Sequence, residues 1–189
     1  MQGVETIGVD IDGVLADHVP PVLENTRRAY NTQKPNKFDV TDYYADIPDC
    51  PINIAEAIAI CQLDASYILQ MPVIESSIDI VNKLHREYTI VIISHRPHTE
   101  KMQNLTERWL TNNNYSYDEL IMGSKKSEIE QLDLLIDDYH EDLEGFLANS
   151  GKSGVLFLQP WNIESKSSFS GYDSLHFAES WHDIYDLLK

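Results

Sequence analysis

The chain has 189 residues, 42% of them hydrophobic and 24% charged, and its 31 acidic against 14 basic residues leave a net charge of −17. That length supports one well-buried domain with room for a small insertion. The acidic excess argues against a binder of long nucleic acid or of an anionic membrane surface, because both kinds of binding draw on Lys and Arg. A small phosphorylated ligand stays open, since a bound cation supplies positive charge locally. Cys50 and Cys61 lack metal-like spacing and suit a reducing cytoplasm. No run is apolar for long enough to span a bilayer and no secretory signal is evident, so a cytoplasmic protein is expected.

The first element organises the rest. Ile7–Asp17 reads Ile-Gly-Val-Asp-Ile-Asp-Gly-Val-Leu-Ala-Asp. A strand over 5–12 aims Asp10 and Asp12 to one side at its carboxyl end. Two like charges that close require a cation or a shared proton. The spacing does not fit an EF-hand loop, whose acidic ligands and Gly fall at other offsets. Residues 19–31 then read as a helix that tolerates Pro20 and Pro21 in its first turn. Residues 32–51 read as loop, 52–61 as a helix, and a second short helix follows Asp64 and ends before Pro72.

A regular alternation starts after that. Ser76 or Ser77 caps a helix to about Arg86. Tyr88–Ser94 is a β-branched run that fits a strand buried on both faces of a parallel sheet. A helix from Thr99 to Asn112, a strand at 119–122, a strand at 132–136, a helix at 141–148, a strand at 154–158 and a helix at 180–188 follow. The tract 163–174, rich in Ser, reads as a surface loop. The expected fold is α/β: a Rossmann-like three-layer core with a parallel sheet, built from 1–17 and 73–189. A small, mainly helical cap of 18–72 is inserted after the first strand. In such folds ligands sit beyond the carboxyl ends of the strands. Asp10 and Asp12, Ser94, Lys125 and Lys126, and Asp137 with Asp138 all follow predicted strands and so share one edge.

That set of groups suits phosphoryl transfer. Clustered carboxylates bind a hard cation, Mg²⁺ beside a phosphate being the usual case. A carboxylate can attack phosphorus, and a second acid can protonate the leaving oxygen and then deprotonate water. A hydroxyl and a lysine hold the phosphoryl oxygens. At these residues the chain resembles the haloacid dehalogenase superfamily of phosphohydrolases, through Asp10-Ile11-Asp12-Gly13-Val14, Ser94 after its apolar strand, a Lys, and Asp137-Asp138. Within it, Asp12–Asp17, Leu134–Asp138, Val155–Asn162 and the segment from Trp181 are similar to the 5′(3′)-deoxyribonucleotidases and their bacterial and phage relatives. The resemblance implies Asp10 as nucleophile and Mg²⁺ ligand. It implies Asp12 as acid/base, with its backbone carbonyl on the metal. Asp137 and Asp138 complete the metal site, with Asp138 favoured as the direct ligand. Lys126 bridges phosphate and Asp10, with adjacent Lys125 as its rival. Ser94-His95-Arg96-Pro97 departs from the Thr-Ser pair of the mammalian nucleotidases.

The expected substrate is a small phosphate monoester, a nucleotide before a sugar phosphate or a 3′-phosphorylated nucleic-acid end. A non-catalytic binding domain would be marked by a lost acid or lysine, and none is lost. His95 and Arg96 are candidates for substrate contact, with pairing to a nearby acid as the other reading of Arg96. Phe38, Tyr43 and Tyr44 either stack on a base or pack the cap. Asp17 is read as holding the turn after Gly13, His140 as a helix-start residue and Trp109 as packing.

Overall fold

In a computed structural model, which describes residues 1, 3–32, 37, 40–169 and 171–189, Thr6–Asp10 forms the first strand, β1. It is followed in the chain by β2 (Thr89–Ser94), β3 (Glu119–Met122), β4 (Leu134–Asp137), β5 (Ser153–Phe157) and β6 (Leu175–Ala178). All pair in parallel, in the order β3-β2-β1-β4-β5-β6. β1 is central, with Ile7 opposite Ile90 on one side and Leu134 on the other. The strand order reverses between β1 and β4, and there the carboxyl ends leave a crevice.

Helices α4 (Ser77–Leu84), α5 (Glu100–Asn112) and α7 (Trp181–Leu188) cover one face of the sheet, packing Ile80, Val81, Trp109, Leu110 and Ile184 with Ile7 and Val9. Helix α6 (His140–Ser150) covers the other face with Leu143, Phe146 and Leu147 against Val91, Leu135 and Leu156. The continuous apolar character of β2 and β4 follows from this burial on both faces. Between β1 and α4 lie α1 (Val19–Tyr30), α2 (Ile54–Cys61) and α3 (Ala65–Gln70). Their apolar sides join the same core as the first face of the sheet, through Val22, Leu23, Ile54 and Ile68. The insertion leaves and re-enters through adjacent backbone: Asp17 N donates to Pro72 O at 2.8 Å and Ile74 N to Leu15 O at 2.8 Å.

Four expectations need correction. The first strand ends at Asp10 instead of running to residue 12, because Leu15 and Ala16 both donate backbone N–H to Ile11 O and curl the chain into a turn. Asp12 therefore sits in that turn, and strand alternation does not set its direction. Neither Ser76 nor Ser77 caps α4 with its side chain: Ser76 occupies the N-cap position in left-handed backbone, and the Ser77 hydroxyl donates to Ile74 O. The tract 163–174 carries a 3₁₀ helix, Ile163–Phe169, whose Phe169 is buried. The short strand β6 goes unforeseen. Phe38 lies outside the described residues.

Candidate active site

The crevice over the carboxyl edge of the sheet is a cleft of about 380 Å³. Its floor holds Asp10 from the end of β1, Asp137 from the end of β4, and Asp138 just beyond it. One oxygen from each of these three buried carboxylates lies within 4.8 Å of the others. Lys126 reaches them from a 3₁₀ turn, Lys126–Glu128. Its ammonium donates to Asp10 Oδ1 at 2.7 Å and to Asp137 Oδ2 at 2.7 Å, and it stands 3.1 Å from Asp142 Oδ2. Burial works against the Lys126 charge, but the three carboxylates together hold it well above its ordinary range.

Adjacent Lys125 goes elsewhere. Its backbone is extended just before the 3₁₀ turn, its side chain is 77% exposed, and it lies 3.4 Å from Glu128 on the surface. The structure therefore brings one lysine of the pair to the acids, and Lys125 does not line the cleft.

Asp12 faces Arg96. The guanidinium donates through Nε to Oδ2 at 2.9 Å and through Nη2 to Oδ1 at 2.6 Å, a bidentate fork. Arg96 is itself buried, with Nη1 on Thr106 Oγ1 of α5 and Nη2 against Met71 Sδ from the end of the insertion. Burial pushes the Asp12 carboxyl up, but the Arg96 charge and hydrogen bonds outweigh it, and the net shift is downward. Arg96 thus lines the cleft while held in an internal ion pair with Asp12. Ser94, at the end of β2, is buried, lines the cleft, and accepts from Arg96 N at 3.2 Å. His95 is half-exposed at the rim, its Nε2 at 2.7 Å from Asp142 Oδ2, and that hydrogen bond raises its pKa.

Asp138 has different company. Its Oδ2 accepts from Trp161 Nε1 at 2.7 Å and from Tyr43 Oη at 2.9 Å. Gly13 stands so close, in left-handed backbone with φ +91°, that a Cβ there would lie 2.2 Å from Asp138 Oδ2. No cationic group pairs with Asp138 among the described residues, so its charge is the uncompensated one. Burial, reinforced by Asp10 and Asp137, pushes Asp138 well above the carboxylate range, and burial likewise lifts Asp137. Asp10 rises to about 7, with burial again the largest cause. Three buried carboxylates facing one lysine make a site short of positive charge. An all-oxygen donor set of this kind fits a divalent hard cation.

Sequence reasoning did not reach Asp142, His18, Tyr139 or Trp161 as groups around the cleft, nor the bond from Tyr43 to Asp138. Asp142 lies in the first turn of α6 and meets Lys126 through the packing of that helix on the 3₁₀ turn. Its position four residues after Asp138 was the available signal. Asp17 pairs with Lys37 at 2.6 Å, His140 starts α6, and Trp109 is fully buried with its Nε1 on Met71 O.

No curated protein gives a significant match to the chain. Among solved structures it is similar to a haloacid dehalogenase-like hydrolase from Streptococcus pneumoniae, at 15% identity over all of both chains with a TM-score of 0.68. It is also similar to a haloacid dehalogenase-superfamily hydrolase of subfamily IA from Geobacter sulfurreducens, at 14% identity over 98% of this chain and 97% of that one, TM-score 0.61. A third is D,D-heptose 1,7-bisphosphate phosphatase from B. bronchiseptica, complexed with magnesium and phosphate, at 12% identity over 97% of each chain, TM-score 0.57. These likenesses establish the fold. Residues 4–189 match the family described as 5′ nucleotidase, deoxy (pyrimidine), cytosolic type C protein. With nearly the whole chain inside that match, the protein belongs to this family and is a 5′-nucleotidase-like phosphatase.

Proposed function

We propose that the protein is a Mg²⁺-dependent nucleotidase that hydrolyses a deoxynucleoside monophosphate through an aspartyl-phosphate on Asp10. The observation that carries this is the buried cluster in which Lys126 joins Asp10 to Asp137 beside Asp138, at the floor of a cleft that also holds Ser94 and Asp12. Asp10, Asp137 and Asp138, with the backbone carbonyl of Asp12, would hold the cation. When bound it neutralises charge on the phosphoryl oxygens and on these acids. Asp10 attacks phosphorus, the phosphorus–ester oxygen bond breaks, and Asp12 gives its proton to the departing sugar oxygen. Water then attacks phosphorus, Asp12 takes its proton, and Asp10 is released with inorganic phosphate.

Lys126 and Ser94 hold the phosphoryl group through both steps. The Arg96 fork fixes Asp12 in place and favours its ionised form, the form that accepts a proton from water. A phosphate dianion arriving beside it offsets the Arg96 charge and lets Asp12 carry the proton that the first step needs. Residues 1–17 and 73–189 act as the catalytic core, and 18–72 acts as a lid over the cleft. Tyr44, Ala55, Ile58 and Gln62 of that insertion line its outer wall, where the nucleoside would rest.

A panel of deoxynucleotides, ribonucleotides and sugar phosphates, assayed for phosphate release with Mg²⁺, tests the proposal. Turnover of deoxynucleoside monophosphates above the rest is the expected result. Release from sugar phosphates and from no nucleotide would remove the nucleotidase assignment.

A further inference from the structure

From the insertion, the Tyr43 hydroxyl reaches the acid cluster, and it arrives on Asp138. Tyr43 lies between α1 and α2, and its backbone carbonyl accepts from Ala55 N at 2.8 Å, which ties it to the first turn of α2. Its ring sits against Trp161, with centroids 5.3 Å apart. Both hydroxyl contacts are assigned by their neighbours. The Tyr43 proton goes to Asp138 Oδ2, so the contact with His18 Nε2 at 3.4 Å places an N–H of His18 on the tyrosine oxygen. The result is a chain from His18 through Tyr43 to Asp138, with two members in the insertion and one in the core.

Trp161 donates to the same oxygen from the core side. Among the described residues, the hydrogen bonds to the Asp138 carboxylate therefore both fall on Oδ2, which leaves Oδ1 to face a cation. A carboxylate ligand is oriented by the groups bonded to its other oxygen, and removing such a group typically costs ~10–100-fold in metal affinity. Resting on the reading of Asp10, Asp137 and Asp138 as a cation site, we propose that Tyr43 is a positioning residue for Asp138, so that cation affinity and docking of the α2 segment onto the core are one coupled equilibrium. The coupling is reciprocal by thermodynamic necessity: what tightens the cation when α2 is docked also tightens docking when the cation is bound.

Calorimetric titration with magnesium chloride, paired with amide hydrogen exchange over Ile54–Cys61, tests this without an activity assay. In the wild type, Mg²⁺ should bind and slow exchange in α2. Tyr43→Phe keeps the ring and removes the hydroxyl; it should weaken Mg²⁺ binding about 10-fold and abolish the cation-dependent slowing of α2. Trp161→Phe removes the other donor to Oδ2 and leaves the Tyr43 bond. It should weaken binding while α2 still slows at saturating Mg²⁺, a split that a general loss of structure would not produce. A wild type that takes up no Mg²⁺ overturns the cation site itself. A wild type that binds Mg²⁺ with no change in α2, or a Tyr43→Phe variant with wild-type affinity and protection, overturns the coupling alone.

Discussion

Asp10 and Asp12 differ in what holds them, and that difference separates their expected roles. Asp10 shares Lys126 with Asp137 in full burial, whereas Asp12 lies in the fork of Arg96. Asp10→Asn removes the proposed nucleophile and should abolish nearly all turnover. Asp12→Asn removes the proposed proton carrier and should cost about 10²–10⁴-fold with a nucleotide. An aryl phosphate, whose leaving group needs no proton, should still give a burst of phenol with Asp12→Asn, followed by slow turnover. If that burst came from Asp10→Asn, the two roles would be exchanged. Arg96→Lys keeps the charge and loses the fork, so Asp12 is no longer held at two points. Its kcat should drop about 10²-fold with a nucleotide, in line with the cost of misplacing a catalytic group by an ångström. The drop should shrink with the aryl phosphate, and equal losses on both substrates would show that Arg96 acts on something other than Asp12. At this scale the sequence exposed groups that follow strands, because a parallel sheet brings strand ends to one edge. It did not expose Tyr43 on Asp138, a contact 95 positions apart with no local pattern behind it.

Among the elements, β1 carries a constraint of its own. Gly8 lies in the middle of this central strand, and a Cβ there would meet Leu132 Cδ1 at 2.7 Å and Ile93 Cδ1 at 2.9 Å. Both of those side chains are fully buried beneath α6, so a shift of either must displace packed neighbours. Gly8→Ala should therefore destabilise by about 1–3 kcal/mol through overpacking, measured as a lower urea midpoint with an unchanged slope. An unchanged midpoint would mean that the core yields at that point. β2 and β4 were readable as buried strands, since burial on both faces demands a continuous apolar run. β6 was not readable. It is four residues long at the sheet edge and includes exposed Phe177, so no alternation develops. The cap of α2 also escaped notice, although Asn53 and Glu56 form a full capping box there; a helix read from residue 52 puts Asn53 inside it, and the pair is legible only once the helix is started at Ile54.

The molecule as a whole carries far more acid than base, and at the cleft the excess becomes a pH dependence. The Asp10 carboxyl rises from an ordinary 3.8 to about 7 in the folded protein, and Asp137 and Asp138 rise too. Between these values the folded state binds more protons than the unfolded one, so stability falls as pH rises. Metal-free protein should melt at a higher temperature near pH 5 than near pH 8, and Mg²⁺ should raise the melting temperature most at the higher pH, where it replaces the missing protons. Thermal scans with and without EDTA check this; a metal-free protein that is more stable at pH 8 would contradict it. The junction of the insertion bears on how relatives of this protein can diverge. Entry and exit are stitched together by two backbone hydrogen bonds, Asp17 to Pro72 and Ile74 to Leu15. A different segment could be spliced across that stitch without unpicking the sheet. The splice would carry Tyr43 away with the cleft wall formed by Tyr44, Ala55, Ile58 and Gln62. On the proposed coupling, a lineage that exchanged this segment to change diet would also reset its appetite for magnesium, and the two traits should be inherited together.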